Sequence, residues 1–237
     1  MPKRQRETQR EAQQSVKCVW VLSGAPPPDQ PPETRWLPRP DRVVVADGGH
    51  TWASLLGLAP DLIIGDLDSI APGSLAGLEA SRVPIERYEH HLKSETDTEL
   101  AVLAAARRWQ PERIVVLGAV GGRLDHTLAN ILLLTHSALE KLDVTIVDGA
   151  QEVFLAKPRV WTTIRGQAGD IMSLLPVGEA AHGITLEGFE YPLNAETLTP
   201  GSGRGVSNVL LAGEGRLWLE GGRLLVVLLH APAELAL

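Results

Sequence analysis

Two hydrophobic periods alternate through the first 150 residues of this chain. Short β-branched runs occur at KCVWVL, RVVVA, DLIIG, RIVVLGA and DVTIVD, each with the length and composition of a buried strand. Between several of them, TWASLLGL, TDTELAVLAAARRW and HTLANILLLTHSALEKL repeat with helical period. In TDTELAVLAAARRW, Leu100, Leu103, Ala104 and Arg107 mark one i, i+3, i+4, i+7 face with the arginine at its wet end. Thr96 and Glu99 are spaced as a capping box at its start. Strand-then-helix repetition predicts an α/β fold, a mostly parallel sheet with helices on both faces.

From residue 151 the pattern changes. QEVFLA, VWTTIRG, DIMSLLPVG, GITLEGFEYPL, GVSNVLL, GRLWLEG and GRLLVVLL are short and separated by glycine, proline and acidic turns. No long helical period survives there, which predicts a C-terminal all-β sandwich domain. The division expected is a polar, disordered tail over 1–14, an α/β domain over 15–150 and a β-sandwich domain over 151–237. Residues 24–40, GAPPPDQPPETRWLPRP, read as a proline-rich surface loop of polyproline character. There are no internal repeats.

Composition narrows the class. With 237 residues, 44% hydrophobic and 22% charged, the chain has an ordinary globular make-up. No apolar stretch approaches the roughly 20 residues that span a bilayer, and no hydrophobic segment follows the charges of MPKRQRETQREAQQ as a secretory signal requires. The single cysteine, Cys18, lies in the apolar run CVWVL, which predicts a buried thiol in a reducing cytoplasm. A formal net charge of -7 and the lack of a basic stripe argue against a nucleic-acid surface. The acids gather instead at strand ends.

In an open parallel sheet, ligands bind outside the carboxyl ends of the strands. RVVVA is followed by Asp47-Gly48-Gly49, DLIIG by Asp66-Leu67-Asp68-Ser69, and RIVVLGAV by Gly121-Gly122-Arg123-Leu124-Asp125-His126. All three groups are expected on one edge. If the chain stays extended, Asp66 and Asp68 point to the same side about 6.5 Å apart, at ~3.3 Å of rise per residue. Two carboxylates so close repel unless something positive compensates. All-oxygen ligands without a nearby cysteine or paired histidines suit Mg²⁺, or Mn²⁺, rather than zinc. Each acid alone has an ordinary structural reading: Asp68 and Asp125 as helix caps, Asp97 as an acid in a first helical turn. Several together on one edge tip the balance to a ligand set.

Gly48-Gly49 and Gly121-Gly122 permit close backbone approach or positive φ, yet fit neither GxxxxGK[ST] nor GxGxxG. Lys93 and Arg123 add positive charge beside the acids, an arrangement suited to a phosphate-bearing ligand with its metal. His90 and His91 are adjacent and make a poor metal pair, while His126 directly follows Asp125.

These motifs resemble the thiamine pyrophosphokinase family. The resemblance rests on VVADGG, PDLIIGDLDSI, KSETDTELAV, VLGAVGGRLDHTLANILLL, EGFEYPL and GVSN, in that order over residues 43–208. It implies transfer of diphosphate from ATP to the hydroxyl of thiamine with release of AMP. It also implies an N-terminal α/β domain, a C-terminal β-sandwich, and a homodimer with active sites near the subunit interface. Carried over by position, Asp47, Asp66, Asp68, Asp97 and Asp125 serve Mg²⁺ and the ATP phosphates. Asp66, Asp68 and Asp97 are the metal and catalytic set, with Asp97 the choice to orient or deprotonate the hydroxyl. Gly48, Gly49, Lys93, Thr96, Gly121, Gly122, Arg123 and His126 fall in nucleotide-contacting motifs, and Ser207 and Asn208 match the pair expected on the thiamine pyrimidine. Phe189 stands where the family usually has leucine, and the first 14 residues and the proline-rich loop lie outside the match.

The chemistry read from the residues agrees, since phosphoryl-type transfer asks a protein mainly for positioning and charge neutralisation. Thiamine is a cation, suited to an acidic protein with aromatic walls; Trp161, Trp218 and Tyr191 are candidates, with ordinary β-core packing as their bland reading. Two rivals stand beside it. A metal-dependent phosphoesterase or pyrophosphatase also uses paired aspartates, though GDLDS lacks the histidines such shells usually contain. A non-catalytic thiamine- or nucleotide-binding protein has no need of so many acids.

Overall fold

The computed structural model describes residues 15–29, 34, 37–65, 83–88 and 94–230. The expected tail over 1–14, residues 30–33, 35 and 36 of the proline-rich loop, GDLDS beyond Gly65, His90, His91 and Lys93 lie outside the described residues.

Six strands run parallel: β1 (Cys18–Leu22), β2 (Arg42–Ala46), β3 (Leu62–Gly65), β4 (Ile85–Arg87), β5 (Arg113–Leu117) and β6 (Asp143–Asp148), in the spatial order β6-β5-β1-β2-β3-β4. Alternate residues face opposite sides of the sheet, and each side has its own helical cover. Val19, Val21, Val44, Ile64 and Val116 pack in one cluster with residues of α2 (Asp97–Trp109). Trp20, Leu22, Val45, Ile63 and Leu117 pack on the other side with Trp52 and Ala53 of α1 (His50–Leu56). Because both faces are covered, the strands carry unbroken β-branched runs. Cys18 is buried among them, and burial pushes its thiol up to about 11. It is an inert core residue.

The helix α2 buries more than the single expected stripe. Ala101, Val102 and Ala105 are fully buried along with Leu100 and Ala104, because the helix lies on β1, β2 and β3 and also contacts α3 (Leu124–Leu133) and a 3₁₀ turn at Ser137–Leu139. Its alanines allow that double approach. Where the sequence predicts one helical stretch over 126–142, the structure has α3, a break, and the 3₁₀ turn. The break has a local cause: the imidazole of His136 accepts a hydrogen bond from the Ala138 N–H at 3.1 Å, starting a new turn.

The expected sandwich is present, and one of its layers continues the first sheet. From β6 the chain turns at Gly149–Ala150 into β7 (Gln151–Ala156), antiparallel to β6. Strands β14 (Leu224–Leu229), β9 (Ile171–Pro176) and β12 (Asn208–Val209) add in turn, giving a ten-stranded sheet ordered β12-β9-β14-β7-β6-β5-β1-β2-β3-β4. A second sheet, β11 (Leu193–Leu198), β10 (Ala181–Glu187), β13 (Glu214–Trp218) and β8 (Thr162–Arg165), is antiparallel throughout. Met172, Leu174 and Val226 from the first meet Ile184, Leu186 and Leu217 from the second, with the Phe189 ring, in one core. The two halves therefore share a hydrogen-bonded seam at β6–β7 instead of a linker.

Candidate functional site

The parallel strands all point their carboxyl ends to one edge, and short-range contacts draw the following loops together there. The backbone of Gly49 lies against β1: a Cβ on it would fall 2.0 Å from the Leu22 carbonyl oxygen. This glycine is needed for the close contact between the loop after β2 and the end of β1. The positive φ in that loop belongs to Asp47, at 41°, an uncommon conformation for a side-chain-bearing residue and one that concentrates at functional sites. A Cβ on Gly65 would meet the Asp47 Cβ at 3.0 Å. Thus β3 ends beside Asp47, and the chain leads into Asp66 and Asp68 from that point.

The third group arrives from β5. Gly121 and Gly122 have φ values of 108° and 66°, the left-handed turn that glycine permits at little cost. The Gly121 N–H donates to the Thr127 hydroxyl at 3.2 Å. The buried Asn130 donates from Nδ2 to the Ala119 carbonyl at 2.8 Å, tying α3 to the loop that precedes the glycines. Arg123 and Asp125 form a two-pronged pair on the surface, Nε to Oδ1 at 3.1 Å and Nη2 to Oδ2 at 2.6 Å. The guanidinium holds the Asp125 carboxyl down at about 2. Asp125 sits in the first turn of α3 without capping it, and its Oδ1 also accepts from the His126 N–H at 3.0 Å.

Asp97 opens α2. Thr96 caps this helix as expected, its hydroxyl accepting from the Glu99 N–H at 3.2 Å. One residue into the helix, the buried Thr98 hydroxyl shares a 2.5 Å hydrogen bond with Ser23, which follows β1. That contact fixes the start of α2, and with it Asp97, at the carboxyl end of β1. Ser23, Thr98 and Asn130 were missed in the sequence. Ser23 was accessible by the rule that found the others, since it directly follows the apolar run of β1.

The rim meets the chemistry of a hard divalent cation in part. Asp47 supplies carboxylate oxygen beside Gly65, Asp97 supplies another at the start of α2, and Asp66 and Asp68 follow that glycine in sequence. Among the described residues no group of three acids, histidines or cysteines converges.

Ser207 and Asn208 lie far along the sheet, at β12. Ser207 has φ 61° and its N–H donates to the Ser173 hydroxyl at 3.1 Å. Asn208 is buried, and its carboxamide is bonded to the main chain of Tyr191. Tyr191, Val206 and Leu211 are exposed around this point. Trp161 and Trp218 are engaged with each other, rings 5.6 Å apart, and the Arg216 guanidinium stands 4.3 Å over Trp161. Of the three aromatic candidates, Tyr191 is the one tied to the Ser207–Asn208 corner.

An open parallel sheet with an acid- and glycine-lined carboxyl edge, extended by a β-sandwich, places this chain in a class of solved proteins of the same fold. The thiamine pyrophosphokinase of Bacillus subtilis superposes with a TM-score of 0.80 at 26% identity, over 91% of this chain and all of that one. The thiamin pyrophosphokinase of Geobacillus thermodenitrificans gives 0.76 at 25% identity, covering 91% and 99%. A curated Bacillus subtilis thiamine pyrophosphokinase is 28% identical over 212 residues, 90% of this chain and 98% of its own length. Residues 35–146 match the family described as thiamin pyrophosphokinase, catalytic domain, and residues 162–220 match thiamin pyrophosphokinase, vitamin B1 binding domain. The chain belongs to the thiamin pyrophosphokinase family.

Proposed function

We propose that the protein is a thiamine diphosphokinase that transfers diphosphate from ATP to the hydroxyl of thiamine, giving thiamine diphosphate and AMP. The hydroxyl oxygen attacks the β-phosphorus, the bond from that phosphorus to the α–β bridging oxygen breaks, and the hydroxyl proton passes to a base. The observation that carries this reading is the gathering of Asp47, Asp97, the Gly121–Gly122 turn and the Arg123–Asp125 pair on one sheet edge, in a chain matched by both family descriptions.

Residues 15–150 carry ATP and the metal, and residues 151–237 carry thiamine. Asp66, Asp68 and Asp97 would hold Mg²⁺, or Mn²⁺, which when bound neutralises phosphate charge. Asp47, the two glycine pairs, Lys93, Thr96, Arg123, Asp125 and His126 line the ATP path, and Arg123 places its charge where a departing phosphate accumulates its own. Asp97, held in place by the Thr98–Ser23 bond, orients the attacking hydroxyl or takes its proton. Ser207, Asn208 and the exposed Tyr191 form the thiamine corner.

The protein works as a homodimer. Within one chain, β12 lies seven strands from β2 and five from β5, about 34 and 24 Å along the sheet at ~4.8 Å per strand. Reacting atoms must approach to about 3–3.5 Å, so the thiamine corner of one copy is taken to face the rim of the other. The exposed Leu124, Leu128 and Leu132 on α3, beside that rim, are suited to be covered by a second copy. A cytoplasmic setting accords with the buried thiol and with the lack, among the described residues, of any helix long and apolar enough to cross a membrane.

The test is incubation with thiamine, ATP and Mg²⁺. Equimolar AMP and thiamine diphosphate are expected. Free phosphate as the only product would establish the phosphoesterase reading, and ligand binding without turnover the sensor reading.

A further inference from the structure

Asn208 is one of few buried polar side chains among the described residues, 8% exposed, at the first position of β12. Its carboxamide is occupied almost entirely by the main chain. Oδ1 accepts from the Tyr191 N–H at 3.0 Å and from the Val209 N–H at 2.9 Å, and Nδ2 donates to the Tyr191 carbonyl at 2.8 Å. Both lone-pair positions of the amide oxygen are therefore used. The side chain acts as a short strand partner for a residue 17 positions away.

The segment it holds is pinned on both sides. The Phe189 ring is buried in the sandwich core, packed so closely on Gly215 that a Cβ there would meet it at 2.3 Å. The Glu190 N–H donates to the Val209 carbonyl at 2.9 Å. Tyr191 itself, with both main-chain polar groups bonded to Asn208, is 60% exposed. An aromatic side chain standing in solvent on an immobilised backbone loses little freedom on meeting a ligand.

Building on the diphosphokinase reading, we propose that Asn208 is a positioning residue and not the recognition contact for thiamine. It sets Tyr191 beside Ser207, and Tyr191 presents its ring to the cationic heterocycle. The family resemblance assigns Asn208 to the pyrimidine itself; the use of its oxygen and of one of its two N–H groups by the main chain argues for action through Tyr191.

A double-mutant cycle separates the two roles. Asn208→Ala, Tyr191→Ala and the double variant are assayed with thiamine varied at saturating Mg-ATP, then with ATP varied at saturating thiamine. Each single variant is expected to raise KM for thiamine about tenfold and to leave kcat and KM for ATP within about twofold. The double variant is expected to be no worse than the poorer single one. Asn208→Asp keeps the acceptor for the two N–H groups and is expected to show a smaller rise; it takes the place of Asn208→Ala in the cycle should that variant not fold. Multiplied effects in the double variant, an unchanged KM in the Asn208 variant, or an equal loss of thiamine and ATP kinetics would overturn the proposal. A wild-type protein that makes no thiamine diphosphate overturns the diphosphokinase reading and this proposal with it, whereas an active wild type with multiplied effects overturns this proposal alone.

Discussion

The rim of the parallel sheet and the corner at β12 are built by opposite means. At the rim, chain connectivity does most of the placing: parallel strands deliver whatever follows them to one edge, and the Ser23–Thr98 and Asn130–Ala119 bonds then fix α2 and the glycine turn there. At the corner, a strand of two residues and a loop 17 positions away are held together by a buried carboxamide, with the Phe189 ring and the Glu190–Val209 bond beside it. A rim loosens when a supporting bond goes and fails when its charges go. A corner keeps its exposed groups through a few buried ones.

The largest expected effect lies at the rim. Asp66→Asn or Asp68→Asn is expected to lower kcat by about 10³-fold or more, with thermal unfolding unchanged; full activity of both at saturating Mg²⁺ would remove the pair from the metal set. Asn130→Ala tests whether connectivity alone suffices. It leaves the Ala119 carbonyl without its side-chain donor, and is expected to cost about 1–3 kcal/mol in denaturant unfolding together with a rise in KM for ATP as the glycine turn loosens. Unchanged ATP kinetics in a destabilised variant would confine Asn130 to folding.

The smallest effect belongs to the far end of β14, where His230 bridges two carboxylates, Nε2 to Glu152 at 2.7 Å and Nδ1 to Asp170 at 3.0 Å. The Glu152 hydrogen bond and then that of Asp170 raise the imidazole pKa against the opposing effect of burial. A raised pKa means that protonated His230 stabilises the fold fully below the unfolded value near 6.5, and that this contribution disappears as pH rises through the folded value. The loss of Tm in His230→Gln should accordingly be larger at pH 5.5 than at pH 9. A loss that grows with pH would reverse the assignment.

Most of the fold was legible because its signals are local. The five apolar runs of the first half became β1, β2, β3, β5 and β6, and Thr96 capped α2 where its spacing with Glu99 placed it. Three features were hidden for physical reasons. The break after α3 turns on one histidine side chain competing for a backbone N–H. The tight packing of Gly49 on Leu22 depends on the register of β1 against β2. The continuity of the sheet across β6–β7 depends on pairing, since a two-residue turn at Gly149–Ala150 looks in sequence like a boundary between domains. At the rim, the positions of Asp47 and Asp125 after their apolar runs were readable from the sequence. The hydrogen-bond partners of Ser23, Thr98 and Asn208 were not, because each partner lies distant in sequence.

The separation of rim and corner along the sheet makes one measurement decisive. Asp68→Asn, aimed at the proposed metal set of the rim, and Ser207→Arg, which sets a cation in the proposed thiamine corner, are co-expressed with different tags and the mixed dimer is purified. If each site joins the rim of one copy to the corner of the other, the mixed dimer holds one intact site, and about half the wild-type activity per dimer is expected from two parents that are each inactive. A mixed dimer as inactive as its parents, or a wild type that is fully active as a monomer, would contradict a shared site.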